Sequence, residues 1–222
     1  MSKSKKVWIP AFIALIVAAV LVLCYYIYAP SKGELHPRFP KGGDGTVSPG
    51  GLRPDRGEDS AVSGYFSTFG TIALFAGAAS FSWLWFKKKR KSASRLVRQA
   101  GKLLYSLHNL LGWTTFILIV VHGSYFVVTK IYDEHVYTGL AGFAILLALT
   151  GYGYFITKIR NKWMRSVHRT LGLLWLPVLW LHAGGSAVLA SAATLAVGGI
   201  VYLLEKPANR TKQTVQDNSN QS

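Results

Sequence analysis

The sequence predicts an all-α integral membrane protein, a bundle of six transmembrane helices. Three observations carry that expectation. First, half of the 222 residues are apolar, and they gather in long blocks instead of being spread as in a soluble core. A hydrocarbon layer about 30 Å thick needs about 20 apolar residues in helical form, and several blocks reach that length. Second, the charges are uneven. With the N-terminus inside, 19 of the 25 Lys and Arg fall on inner segments, while seven of the nine Asp and Glu fall on outer ones. That bias fits six crossings and places both termini in the cytoplasm. Third, Trp8, Tyr25, Tyr26, Tyr65, Trp83, Trp85, Tyr105, Tyr137 and Tyr154 sit near the ends of the blocks, as an interfacial aromatic belt does.

Each element follows from the local composition. Residues 1–29 form an N-terminal transmembrane helix, its apolar run Val7–Ala29 preceded by Lys3, Lys5 and Lys6. That run exceeds the length of a signal-peptide core, so an uncleaved helix is expected. Residues 30–63 (with GGDGTVSPGGLRPDRG) are polar and rich in Gly and Pro; such a stretch buries no core and reads as a flexible extracytoplasmic loop. The bundle proper covers 64–204. Its helices run from Gly64 to Phe86, Leu103 to Val128, Val136 to Thr157, Val167 to Ala183 and Ser186 to Leu204. The basic loop KKKRKSASRLVRQAGK, the turn KIYDEH, the basic loop KIRNKWMR and the pair Gly184–Gly185 separate them. The last helix is rich in small residues, suited to close packing. Residues 205–222 form a polar cytoplasmic tail, expected to be disordered.

Composition also excludes functions. A net charge of +16 suggests nucleic acid in a soluble protein, but here the basic residues cap apolar blocks and no soluble domain remains to bind it. The single cysteine, Cys24, lies inside the first apolar block. It makes no intrachain disulfide, thiolate iron–sulfur cluster or Cys-rich zinc site, and reads as a buried apolar thiol.

The chemistry lies in the histidines. His108 and His122 fall on the third helix, His168 and His182 on the fifth, each pair fourteen residues apart. Fourteen residues rise about 21 Å and make two heptads, so both imidazoles of a helix share one face in a left-handed bundle. One intervening helix makes the two host helices parallel. His108 and His168 follow basic inner loops; His122 and His182 lie toward the outer surface. The pairing is therefore His108 with His168 and His122 with His182: two bis-imidazole sites at opposite depths. Haem iron takes axial histidines readily, and two planar macrocycles fit between parallel helices at this separation, so two haem b groups are expected.

Neighbouring residues agree. Gly112 and Gly172 each follow an inner ligand by four positions, where a missing side chain leaves room for a porphyrin. HNLLGWTTFILIVVHG and HRTLGLLWLPVLWLHA align as an internal repeat. Arg169 sits beside the inner site, suited to pair with a propionate. Pro177 interrupts the fifth helix between its ligands, which buried membrane helices tolerate. A single membrane histidine is equally well an interhelical hydrogen-bonding residue or part of a proton relay; four in matched positions need a common cause. Zinc wants three or four ligands at one point, whereas these come in separated pairs. His36 and His135 fall in outer polar segments. His135, beside Asp133 and Glu134, offers a site for a cation, but a solvated loop explains it as well.

At these residues the chain resembles the ferric reductase-like transmembrane domain family, which includes ferric-chelate reductases, NADPH oxidase membrane domains and the haem subunit of a bacterial methionine sulfoxide reductase system. The resemblance covers about residues 64–204 and rests on the two histidine pairs and on SVHRTLGLLWLPVLWLHA, with an Arg after its first ligand. It implies a six-helix bundle, two stacked haems and electron flow from cytoplasm outward. A similar spacing occurs in the cytochrome b of quinol-oxidising complexes. Many family members continue into a flavin and nicotinamide module. Here a short tail follows Leu204, and GYGYF at 151–155 lies inside an apolar helix, not in a nucleotide-binding turn. The expected electron donor is thus a separate flavoprotein reductase or a membrane quinol.

Three functions follow. The first is a di-haem cytochrome that passes electrons across the membrane to an extracytoplasmic acceptor, an oxidoreductase component expected in a bacterial plasma membrane. The second is a haem-bearing anchor or quinol-binding subunit of a larger redox complex, which would co-purify with its dehydrogenase. The third is a transporter with a histidine proton relay, disfavoured because the bundle helices hold no Asp or Glu before Glu205. Lys87 to Lys91 offer a docking patch for an acidic donor, though topology accounts for them as well.

Overall fold

A computed structural model of the chain describes residues 3–31, 56–87, 89, 92, 94–159 and 161–220, and describes side chains over 7–27, 61–87, 89, 92, 94–159 and 161–206. His36, the glycine-rich stretch 32–55 and residues 88, 90 and 91 of the basic loop lie outside the described residues. The chain forms an all-helical bundle: α1 (Lys3–Ser31), α2 (Arg56–Phe81), α3 (Trp83–Phe86), α4 (Arg95–Thr129), α5 (His135–Ile159), α6 (Lys162–Ala183) and α7 (Gly185–Asn220). Five helical stretches are long and apolar enough to cross a membrane: Val7–Ile27, Ala61–Phe86, Arg95–Thr129, His135–Ile159 and Gly185–Lys206. The protein is accordingly a multi-pass membrane protein. At 22 residues, α6 is about 33 Å long and spans by length; His168, Arg169 and His182 dilute its apolar character.

Helix boundaries differ from those read off hydropathy, for local reasons. The span Gly64–Phe86 was expected to be one helix; it divides at Ser82, whose hydroxyl donates to the Ala78 carbonyl at 3.0 Å. Such back-bonding one turn upstream bends helices. α2 begins at Arg56, inside the stretch expected to be loop. α4 begins at Arg95, so part of the basic loop is helical, with Val97 and Gly101 buried and Gly101 set against Phe86. α7 continues past Leu204 to Asn220, since extending a formed helix is far easier than starting one. The turn expected at Gly184–Gly185 is present. Gly184 has φ of 53°, a left-handed conformation that favours glycine.

Packing closes the helices into a ring. α4 packs on α2, α2 on α7, α7 on α6, α6 on α5 and α5 on α4, while α1 lies outside against α5 and α6. Among the described residues, α4 and α6 are not one of the principal packed pairs; they face each other across the interior. Close approach uses small side chains. Ala11 and Ala18 of α1 meet the Ala141–Ile145 stretch of α5, and Ala187 and Ala190 of α7 meet Leu74 of α2. The outer faces carry exposed Ile16, Leu110, Ile117, Leu189 and Leu195, the surface a protein presents to lipid.

Candidate functional site

The four membrane histidines point into the space between α4 and α6. His108 faces His168 with ring centroids 6.2 Å apart, and His122 faces His182 at 6.3 Å. The sequence pairing is thus the spatial pairing, and α4 and α6 run in the same direction. The separation has a chemical meaning. A metal–imidazole bond of about 2.0 Å, plus about 1.1 Å from ring nitrogen to ring centre, puts two rings on opposite sides of one metal about 6.2 Å apart.

Every ring is held by its Nδ1. The Nδ1–H of His122 donates to the Phe66 carbonyl at 2.8 Å, and that of His168 donates to the Leu149 carbonyl at 3.0 Å. His108 reaches both the Ser80 carbonyl at 3.0 Å and the Ser80 hydroxyl at 2.8 Å. His182 reaches the Thr138 hydroxyl at 3.2 Å. Thr138 itself donates to the His135 carbonyl at 2.9 Å, so its oxygen is free to accept. A carbonyl only accepts, which puts the proton on Nδ1 and leaves Nε2 a lone pair. This is how proteins orient a histidine for a metal.

The seats follow a register that the sequence reading did not recognise. α2 seats the rings of α4, and α5 seats those of α6. Phe66 and Ser80 are fourteen residues apart, as are His135 and Leu149, matching the ligand spacing on the antiparallel neighbour. Gly70, Gly139 and Gly153 lie four residues beyond three of these carbonyls. A Cβ there would stand 2.7 Å from the His122 ring, 2.9 Å from the His182 ring and 3.3 Å from the His168 ring. The available signal was the fourteen-residue interval between Gly139 and Gly153.

The remaining expected residues fall as follows. Gly112 faces open space, with nothing within 4 Å of a Cβ. Gly172 is buried in packing, where a Cβ would touch Leu149 at 3.7 Å and Phe81 at 3.8 Å; α5 and α2 close on this face of α6, while the matching face of α4 at Gly112 is left open. Arg169 is exposed, next in sequence to His168. Asp133 accepts the His135 backbone N–H at 2.9 Å, a helix-start contact that gives this carboxylate a structural role. Among the described residues no three of His, Cys, Asp or Glu converge as a metal site.

Space and closure complete the site. A cavity of about 530 Å³ surrounds the outer pair, with His122, His182, Gly70, Gly139, Phe143, Trp175 and Leu179 in its wall and Lys130, Asp133 and His135 also lining it. That volume suits a cofactor-sized ligand. Midway between the pairs the bundle is filled. Thr115 lies seven residues from each α4 histidine, and Trp175 seven from each α6 histidine; both are buried and both close on Gly77 of α2. The Trp175 indole N–H donates to the Gly142 carbonyl at 2.9 Å.

Fold and site together define a class: a multi-pass helical membrane protein with two facing imidazole pairs at different depths. Comparison with family models, curated proteins and solved structures finds no match.

Proposed function

We propose that this chain is a di-haem b-type membrane cytochrome. In this reading it carries electrons from a cytoplasmic flavoprotein reductase or a quinol to an extracytoplasmic acceptor, in the manner of ferric reductase-like membrane domains. One observation carries the reading. Two imidazole pairs face each other at the separation a shared metal requires, each Nε2 left free by a pinned Nδ1. His108 and His168 would hold the inner haem, and His122 and His182 the outer. A pair of imidazoles suits a macrocycle that supplies four nitrogens of its own.

When bound, the haems supply one-electron transfer between the two depths of the membrane. The chain does the rest. Carbonyls of α2 and α5 fix the ring planes, Gly112 leaves room at the inner level, and Thr115 and Trp175 exclude water between the levels. Arg169 supplies positive charge at the inner edge, where a propionate would lie. The excess of Lys and Arg on the segments taken as inner supports cytoplasmic termini.

The test is a reduced-minus-oxidised absorption spectrum with haem quantitation on purified wild type, His108→Ala and His122→Ala. Low-spin b-haem bands and two haems per chain are expected, with one centre lost in each variant. A colourless protein from cells supplied with haem, or identical spectra for all three, overturns the proposal.

A further inference from the structure

Both facing pairs share a second quantity. The ring planes are crossed at 81° in the inner pair and at 81° in the outer pair. Ligation through Nε2 does not impose this, because an imidazole can turn about its metal–nitrogen axis. Something in the protein sets the angle twice.

We infer that Gly70, Gly139 and Gly153 are positioning residues that hold the axial imidazoles crossed at both centres; the inference rests on the di-haem reading. Gly70 and Gly153 each lie one turn beyond a carbonyl that accepts an Nδ1–H, and Gly139 lies next to Thr138, whose hydroxyl does so. The acceptor draws the ring against its helix, and the missing Cβ leaves the ring its space. At Gly70 the ring atoms stand 2.7 Å from where a Cβ would be, and at Gly139 2.9 Å, so a methyl group displaces the ring. At Gly153 the gap is 3.3 Å, and the ring has to give by a few tenths of an ångström. His108 has no such glycine. There Ser80 grips the ring by carbonyl and hydroxyl, two residues before the break at Ser82. In each pair one ring is seated by α2 and the other by α5, and these separate seats produce the crossing.

Crossing changes the bound iron. An imidazole donates π density through the one orbital set perpendicular to its plane. Two parallel rings raise one iron dπ orbital and leave its partner, splitting the pair. Two crossed rings raise both alike and leave them nearly degenerate. The ferric ion then gives a single large-g resonance in place of a rhombic triplet. It also loses the stabilisation that the split provides, so the midpoint potential is more positive. Ring orientation by outer contacts is a recognised means of tuning a metal.

The experiment is frozen-solution EPR with a spectroelectrochemical titration, on oxidised purified wild type, Gly70→Ala, Gly139→Ala, Gly153→Ala and Gly64→Ala. Gly64 has nothing within 4 Å of a Cβ. Wild type and Gly64→Ala are expected to show two large-g features and no rhombic triplet. Gly70→Ala and Gly139→Ala convert the outer feature alone to a triplet and lower that centre's potential, while Gly153→Ala acts on the inner centre alone. Rhombic spectra from wild type, or glycine variants that hold two haems with both large-g features intact, overturn the inference and leave the di-haem reading standing. If Gly70→Ala fails to accumulate, the milder Gly153→Ala and the wild-type spectrum decide. A wild type without haem removes both readings.

Discussion

Replacing Ser80 by alanine probes the inner site with a magnitude that can be worked out beforehand. The His108 Nδ1–H has two acceptors on one residue, the Ser80 carbonyl at 3.0 Å and its hydroxyl at 2.8 Å. The substitution removes the hydroxyl and keeps the carbonyl, so the Nδ1 proton stays paired and Nε2 remains a lone pair. The hydroxyl's own donation to the His108 carbonyl, long at 3.3 Å, adds little. What is lost is about one neutral hydrogen bond, worth about 0.5–1.5 kcal/mol net. On the di-haem proposal that corresponds to a roughly two- to twelve-fold weakening of inner haem binding, at or below the low end of the 10- to 100-fold typical when a ligand's partner is lost altogether. The assay follows haem leaving detergent-solubilised protein for an excess scavenger, read in the Soret band, with the two centres resolved by potential. The inner phase should accelerate by that factor and the outer phase should not change. An unchanged inner phase, or acceleration at the outer centre, refutes the claim that Ser80 seats His108.

Other perturbations have definite outcomes. Gly112→Leu puts a side chain one turn from His108 where a Cβ meets nothing within 4 Å; on the di-haem proposal haem content should fall from two toward one per chain while the outer centre keeps its spectrum, and full occupancy at both would show that this position does not border the haem. Trp175→Phe removes the indole bond to the Gly142 carbonyl. Interhelical bonds in membranes average about 0.6 kcal/mol, and a loss of that size should lower Tm in detergent by roughly 1–3 °C. Lys89→Ala strands the Glu205 carboxylate, whose side chain is 9% exposed against 39% for Lys89. Because solvent reaches the lysine, the expected loss is on the order of 1–2 kcal/mol, and Glu205→Gln should restore most of it in the double variant.

The part of this architecture legible in the sequence is the part that lipid and covalent spacing dictate. Blocks of apolar residues gave the helices, and the interval from His108 to His122, repeated from His168 to His182, gave the pairing without any contact being known. What escaped reading depends on how one helix meets another. The break at Ser82 needs a hydroxyl turned back onto Ala78, which serine does in some helices and not in others. The role of Gly70 depends on which face of α2 meets α4, and a lone glycine in an apolar helix does not announce its partner. Gly172 was read as a twin of Gly112 because the local pattern is identical, yet α6 turns it into packing while α4 leaves its counterpart open.

The register of the seats bears on how such a site can exist in a membrane at all. An ionisable ring in lipid is expensive unless its polar atoms are satisfied. Here three acceptors are carbonyls of neighbouring helices, each with a second lone pair to spare after its own helical bond, and the fourth is the Thr138 hydroxyl, itself anchored on the His135 carbonyl. The acceptors pair in fixed antiparallel order, Ser80 with His108 and Phe66 with His122, Leu149 with His168 and Thr138 with His182. A slide of α2 along α4 by one turn would unseat both α4 rings at once, and a slide of α5 along α6 would unseat both α6 rings. The two levels are therefore separate in ligation but joined in assembly. Correct seating at one depth enforces it at the other, so two weak polar contacts per helix pair specify the alignment of spans that lipid alone would let slip.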